Sequence, residues 1–186
     1  MSAVAEVIPQ TLLNLQAAYE GESNATIKYT AFAIQAEVDG YVRAAALFRA
    51  AARAEQVHAA HHARIIMKMG GTPTAAIHSP EAKSTRENLE AAKAGEEYER
   101  DIMYPTFIQE AEASGRKDAV RTFALALKAE TVHAKLYGEA LANLETQRVP
   151  TTFYVCLVCG EVTDNPEETE HCPICNAPKE KFVAVR

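Results

Sequence analysis

At 186 residues and 20.3 kDa, the chain has room for one medium domain, or for one domain plus a small module. Its composition, 48% hydrophobic and 24% charged, supports a core of useful size and excludes a disordered chain. A net charge of -6 argues against nucleic acid as a partner, and no uncharged apolar run approaches the ~18–20 residues that a membrane span needs.

The opening, MSAVAEVIPQ, has neither a basic n-region nor an apolar h-region, so the expected compartment is the cytoplasm. Four long helices are expected in the Ala-rich first part, where apolar residues follow a 3.6-residue period. The first runs roughly from Pro9 to Val38 and ends at the turn Asp39-Gly40. The second runs roughly from Tyr41 to Met69 and stops at Gly70-Gly71. A connector, Thr72 to Lys83, contains Pro73 and Pro80. The third helix runs roughly from Ser84 to Ala113, with Ser84 and Glu87 set as a capping box. Pro105 inside it should kink the helix or force a local bulge. After the turn Ser114-Gly115, the fourth helix runs roughly from Arg116 to Glu145. Near Val149-Pro150 the character changes to short β-like runs (Thr151 to Val155, Lys181 to Val185), more prolines and all four cysteines. The expected division is therefore 1–148 and 149–186.

The helical part repeats itself. At an offset of 75, the 24 positions from Ala36 to Ala59 contain eleven identities, including Gly40/Gly115, Phe48/Phe123, Glu55/Glu130 and His58/His133. Upstream, Gly21-Glu22 matches Gly95-Glu96 at an offset of 74, whereas Tyr29/Tyr104 returns to 75, so one residue is inserted between. The two halves are copies of one helical hairpin. Gly70 to Lys83 can just span a ~45 Å helix when extended, so the second and third helices can run parallel. Two short turns and one long crossover match the ferritin-like connection pattern.

Glu55-x-x-His58 and Glu130-x-x-His133 each put an acid and an imidazole on one helix face. Counted from the two turns, Glu22, Glu55, Glu96, Glu99 and Glu130 fall at nearly one height, among small and apolar neighbours. Buried carboxylates this close need compensating cations, and two divalent metals supply them. The set matches that of di-iron carboxylate bundles, and its mixed ligands suit Fe or Mn and also accept Zn. Glu99 breaks the repeat, since its counterpart is Ala25; it is either a ligand used in one oxidation state or a surface acid. Tyr29 and Tyr104 are repeat mates that either pack in the core or bond a ligand carboxylate. His61 and His62, with repeat partners Leu136 and Tyr137, read as flanking residues, and His78 and His171 read as solvated.

Cys156-x-x-Cys159-Gly160 and Cys172-Pro173-x-Cys175 form two thiolate knuckles with metal spacing. So small a module needs a metal staple, and four thiolates fit Zn or a mononuclear Fe.

Taken together, Gly21-Glu22-Ser23, both Glu-x-x-His pairs, Gly95-Glu96 with Glu99, Met103-Tyr104-Pro105 and the paired knuckles resemble rubrerythrin. The match runs from about Gln10 to Val183 in that family's order. The resemblance implies a mainly α fold: a ferritin-like four-helix bundle with one long crossover, then a small β-rich rubredoxin-like module. It implies two non-haem Fe in the bundle, with Glu22 and Glu96 as terminal ligands and Glu55 and Glu130 bridging. His133 would be a permanent ligand, and the other iron would move between Glu99 when oxidised and His58 when reduced. Tyr29 and Tyr104 resemble tyrosines that support those ligands, and Cys156, Cys159, Cys172 and Cys175 would hold one Fe. The implied reaction is reduction of hydrogen peroxide to water, with electrons from a rubredoxin or an NAD(P)H-dependent reductase. A homodimer or larger assembly is implied, in which one chain's cysteine module can approach another chain's di-iron site. The rival readings are an O2-dependent ferroxidase, a non-enzymatic electron carrier and a zinc-ribbon interaction protein.

Overall fold

The computed structural model describes residues 9–166 and 170–186. The stretch Met1–Ile8, read above for an export signal, lies outside the described residues.

Helix α1 spans Gln10–Val38 and α2 spans Val42–Lys68. Gly40 joins them with a φ of +80°, a backbone setting that glycine adopts without a Cβ penalty. Helix α3 spans Thr85–Tyr98, opened by the expected capping box: Ser84 accepts from the Glu87 backbone N–H and Glu87 from that of Ser84. The third predicted helix is not continuous. Five residues, Glu99–Met103, form a π turn, after which α4 runs Tyr104–Ala113. The single residue that separates the 74 and 75 repeat offsets falls between Glu96 and Tyr104, so the π turn is where the extra residue is absorbed. Pro105, just beyond it, has no N–H to return to the preceding turn. Helix α5 spans Lys117–Ala142, three residues short of the expected end, and a 3-10 turn, Leu144–Arg148, follows.

The crossover runs the length of the bundle. Gly71 begins it beside Leu12. Its backbone then meets Gln16, Glu20 and Asn24 in turn, at Thr74, Ala76 and His78. It delivers Thr85 to the far end of α1, where Asp39 accepts from the Thr85 N–H at 2.9 Å and hydroxyl at 2.6 Å. From there α3 and α4 descend antiparallel to α1, as the pairs Tyr29–Glu96, Tyr104–Glu22, Asn14–Glu110 and Thr11–Ser114 show. Helices α2 and α3 are therefore parallel, as the connector length allows.

Small residues line the interior. Ala18, Ala36, Ala44, Ala50, Ala54, Ala92, Ala119 and Ala129 are fully buried, which lets the helix backbones approach closely. Tyr29, Phe32, Phe48 and Tyr137 close one end, with ring centroids 5.5–6.2 Å apart.

The last segment is a three-stranded antiparallel sheet in the order β2-β1-β3: β1 Phe153–Cys156, β2 Val162–Thr163 and β3 Phe182–Val185. Strand β2, only two residues long, was not anticipated. Phe153, Val155 and Val162 bury into the same core as α1 and α2, and Arg43 pairs with Asp164 at 2.5 Å. No helix among the described residues is long and apolar enough to cross a membrane.

Candidate metal centres

Four helices bring the acids and imidazoles to mid-bundle. One atom each from Glu22, Glu55, His58 and Glu130 lie within 4.8 Å of one another, and so do atoms from Glu55, Glu96, Glu130 and His133. Glu55 and Glu130 belong to both groups, so they stand between two adjacent sites. All six residues are buried. His58 Nδ1 lies 2.9 Å from Glu55 and 2.8 Å from Glu130, and His133 Nδ1 lies 2.8 Å from Glu130.

The polar atoms at the centre are under-satisfied. Glu22 Oε2, Glu55 Oε1, both Glu130 oxygens and His133 Nδ1 are buried without a hydrogen-bond partner among the described residues. Burial, then the neighbouring acids, pushes Glu22 and Glu96 well above the ordinary carboxylate range. Burial acts the same way on Glu55, but the neighbouring imidazoles of His133 and His58 outweigh it and hold that carboxyl low. Burial pulls His58 and His133 toward neutrality, and the Glu130 charge overrides it and raises both. Such a cluster is balanced by cations placed between the carboxylates, and the inward-facing unpartnered oxygens and imidazole nitrogen fit two of them.

Both tyrosines are buried in the core and each bonds a carboxylate of the cluster. Tyr29 donates to Glu96 Oε1 at 2.6 Å, and Tyr104 donates to Glu22 Oε1. Each phenol thereby fixes one oxygen of the acid that belongs to a single group. Glu99 is in neither group; it sits half-buried at the start of the π turn, its carboxyl pushed well up by burial and by Glu96. His78 and His171 are exposed, as expected. His62 differs from its reading as a flanking residue: it is fully buried, with Nε2 3.2 Å from the Tyr104 hydroxyl.

The four cysteine sulfurs form the second centre, all within 4.8 Å of one another. The Cys159–Cys172 and Cys156–Cys175 sulfurs, 3.5 and 3.8 Å apart, are far beyond the ~2.05 Å of a disulfide. Two like turns build it. The Gly160 N–H returns to the Cys156 carbonyl and the Asn176 N–H to that of Cys172, with φ of +81° and +60° at Gly160 and Asn176. The neighbouring thiols, then burial, push the Cys159 thiol far up, a crowding that a bound cation reverses.

The two centres touch within one chain. His58 Nε2 lies 3.0 Å from the Cys159 carbonyl oxygen, and His133 Nε2 lies 3.1 Å from that of Gly160. A ring nitrogen facing a carbonyl must carry the proton, so each ring, when neutral, would present its Nδ1 lone pair to an ion held among the acids. Sequence spacing gave no sign of this contact, because its acceptors are backbone atoms. It also gave no sign of Glu161, which is buried beside the first knuckle with its carboxyl pushed up to about 7, chiefly by burial.

The rubrerythrin family model matches residues 14–141, and the model of the rubrerythrin rubredoxin-like domain matches residues 154–183. The chain belongs to the rubrerythrin family. Nigerythrin from Nitratidesulfovibrio vulgaris is 39% identical over 178 residues, covering 95% of this chain and 87% of that protein. A solved structure of fully reduced, all-ferrous nigerythrin superposes with a TM-score of 0.88 at 38% identity, covering 99% of this chain and 91% of the other. The bacterioferritin of Mycobacterium tuberculosis, at 21% identity and a TM-score of 0.68 over 75% of this chain and 89% of that one, shares the fold alone. The mainly helical ferritin-like architecture and the cysteine module expected of a rubrerythrin are thus both present, and the two-domain family implies iron at both centres.

Proposed function

We propose that this chain reduces hydrogen peroxide to water at a di-iron centre in the bundle, which is refilled by an iron on the four cysteines. The observation that carries the reading is the pair of hydrogen bonds from His58 and His133 to the carbonyls of Cys159 and Gly160. An electron source joined so closely to a two-ion site suits a reaction that consumes electrons.

On this reading Glu22 and His58 serve one ion, Glu96 and His133 the other, and Glu55 and Glu130 both. Glu99 would take the place of His58 as a holding group in the oxidised centre. Ferrous ions held there would supply the two electrons that O–O cleavage takes. The chain's own groups orient and enclose. Tyr29 and Tyr104 hold Glu96 and Glu22 in place, and the first knuckle covers the imidazole side of the site against water. Cys156, Cys159, Cys172 and Cys175 would hold an iron, which supplies one-electron chemistry beside the bundle site. The external donor is a rubredoxin or an NAD(P)H-dependent reductase, and the working unit is a homodimer or larger. The domain division at 148/149 follows the change from helix to knuckle.

The test is anaerobic reduction followed by one equivalent of hydrogen peroxide per chain, monitored by visible absorption. The cysteine iron is expected to bleach on reduction and to regain colour faster with peroxide than with O2. Faster oxidation by O2, with iron accumulating, would favour the ferroxidase and overturn the peroxidase.

A further inference from the structure

We propose that Thr122, His62 and Tyr104 form a proton wire from a surface cleft to Glu22. The inference rests on the peroxide reading, since H2O2 + 2 e− + 2 H+ → 2 H2O consumes two protons in a buried site.

The direction of the wire follows from its end. Glu22 Oε1, as a carboxylate, can only accept, so the Tyr104 hydroxyl donates to it. The Tyr104 oxygen then accepts from His62 Nε2–H, 3.2 Å away. His62 Nδ1 therefore carries a lone pair and accepts from the Thr122 hydroxyl at 3.5 Å, the outer limit of a hydrogen bond. Every member gives one proton inward and can take one from behind.

The surroundings keep this arrangement. The His62 ring is fully buried between the rings of Tyr104 and Phe123, with centroids 6.0 and 5.5 Å away. Each ring nitrogen faces one hydroxyl, Tyr104 at Nε2 and Thr122 at Nδ1, so the ring serves as one donor and one acceptor. Among the described residues its nitrogens make no hydrogen bonds except those to Tyr104 and Thr122. Thr122 lines an open cleft of about 380 Å³ with His61, Arg64, Asp118 and Arg121.

The other half of the repeat has no histidine at the matching place. The repeat mate of His62 is Tyr137, a phenol that lies against Tyr29. The histidine relay thus serves the Glu22–His58 side.

In one passage, a hydronium ion in the cleft gives a proton to Thr122 Oγ1 and is left as water, while the proton already on Oγ1 moves to His62 Nδ1. The Nε2 proton passes to Tyr104, and the Tyr104 proton to Glu22 Oε1. His62 is left as the Nδ1–H tautomer and must return to Nε2–H before the next passage.

The test uses the full-length protein and the variants His62→Ala, His62→Gln and Thr122→Val. Nitrogen-15 NMR of the zinc-loaded protein is expected to show His62 neutral and protonated on Nε2. Reoxidation of the iron-loaded, reduced protein by peroxide is expected to slow about tenfold or more in both His62 variants, with iron content unchanged. Imidazole in solution is expected to restore His62→Ala. Glutamine can hold Tyr104 in place but cannot relay a proton, so His62→Gln reacting at the unmodified rate would overturn the wire. So would an Nδ1–H tautomer in the resting protein. If the unmodified protein fails to react with peroxide, the peroxidase reading falls while the tautomer still decides the wire.

Discussion

At Gly160 the backbone takes a φ of +81°, and a Cβ built there would lie 2.2 Å from His58 Nε2. Alanine meets both obstacles: the left-handed backbone alone costs about 1–2 kcal/mol, and the imidazole cannot yield without leaving its carboxylates. Gly160→Ala is therefore expected to lift the knuckle off the bundle, with faster proteolytic cleavage in 149–152 and slower refilling of the bundle centre. Cleavage and refilling at unmodified rates would show that the contact yields without cost. A second expectation concerns Tyr104, whose hydroxyl holds Glu22 Oε1. Tyr104→Phe keeps the ring among His62, Phe123 and Phe107 but removes the donor. Metal affinity of the bundle site should fall about 10–100-fold, as loss of such supporting bonds does elsewhere, and competition with a chelator measures it. His62 shows where residue-level reading fails. Comparison with the repeat set it aside because Tyr137 stands opposite, yet it is the departure from the repeat that gives it a separate role.

At the scale of elements, most of the architecture was readable. The two glycine turns, the capping box and the length of the crossover each have a local cause. The π turn was readable in part: Pro105 announced a disturbance, and the shift from 74 to 75 showed that one residue was extra. These two causes can be separated. Pro105→Ala leaves the residue count unchanged, so the π turn and the place of Glu99 should persist. Deleting Ile102, which is exposed, should restore a continuous helix in which Glu96 and Tyr104 stand seven residues apart, as Glu22 and Tyr29 do, so that both stay in register. The π turn is therefore expected to vanish in the deletion and to persist in Pro105→Ala, read from their crystal structures, while metal analysis finds both bundle metals in each. Loss of a bundle metal from the deletion variant would refute this account. Strand β2 was not legible because two residues carry no period, and the end of α5 because helix ends fray into 3-10 turns.

For the whole molecule, the metals and the fold are linked. Removing them leaves Glu22, Glu55, Glu96 and Glu130 buried together. Glu22 and Glu96 then have native pKa values raised above their unfolded ones, as do His58 and His133. Groups raised on folding stabilise fully below their unfolded pKa, and that contribution is lost as pH rises through the folded value. Glu55 and Glu130, held low, act oppositely only below the ordinary glutamate range, and His61 and His62, held low by burial, act oppositely up to the ordinary histidine range but are outnumbered by the four raised groups. The metal-free protein should therefore be more stable near pH 6 than near pH 8.5, as denaturation midpoints would show. Metal should raise the midpoint at both, and more at pH 8.5, where the carboxylates are free to bind it. A metal-free midpoint that rises with pH would contradict the proposed balance of charges. The docking of the cysteine module was the least legible feature at this scale, since the Cys159 and Gly160 carbonyls that make it belong to the peptide and not to any side chain.

The π turn has a further consequence. A hairpin copied in tandem yields two halves with the same surroundings, and two ions held between them could not be told apart. One inserted codon ends that equivalence without disturbing the copied ligands, because the added residue is taken up in a single loosened turn. From that point the halves are free to diverge, and the pair of sites has a front and a back.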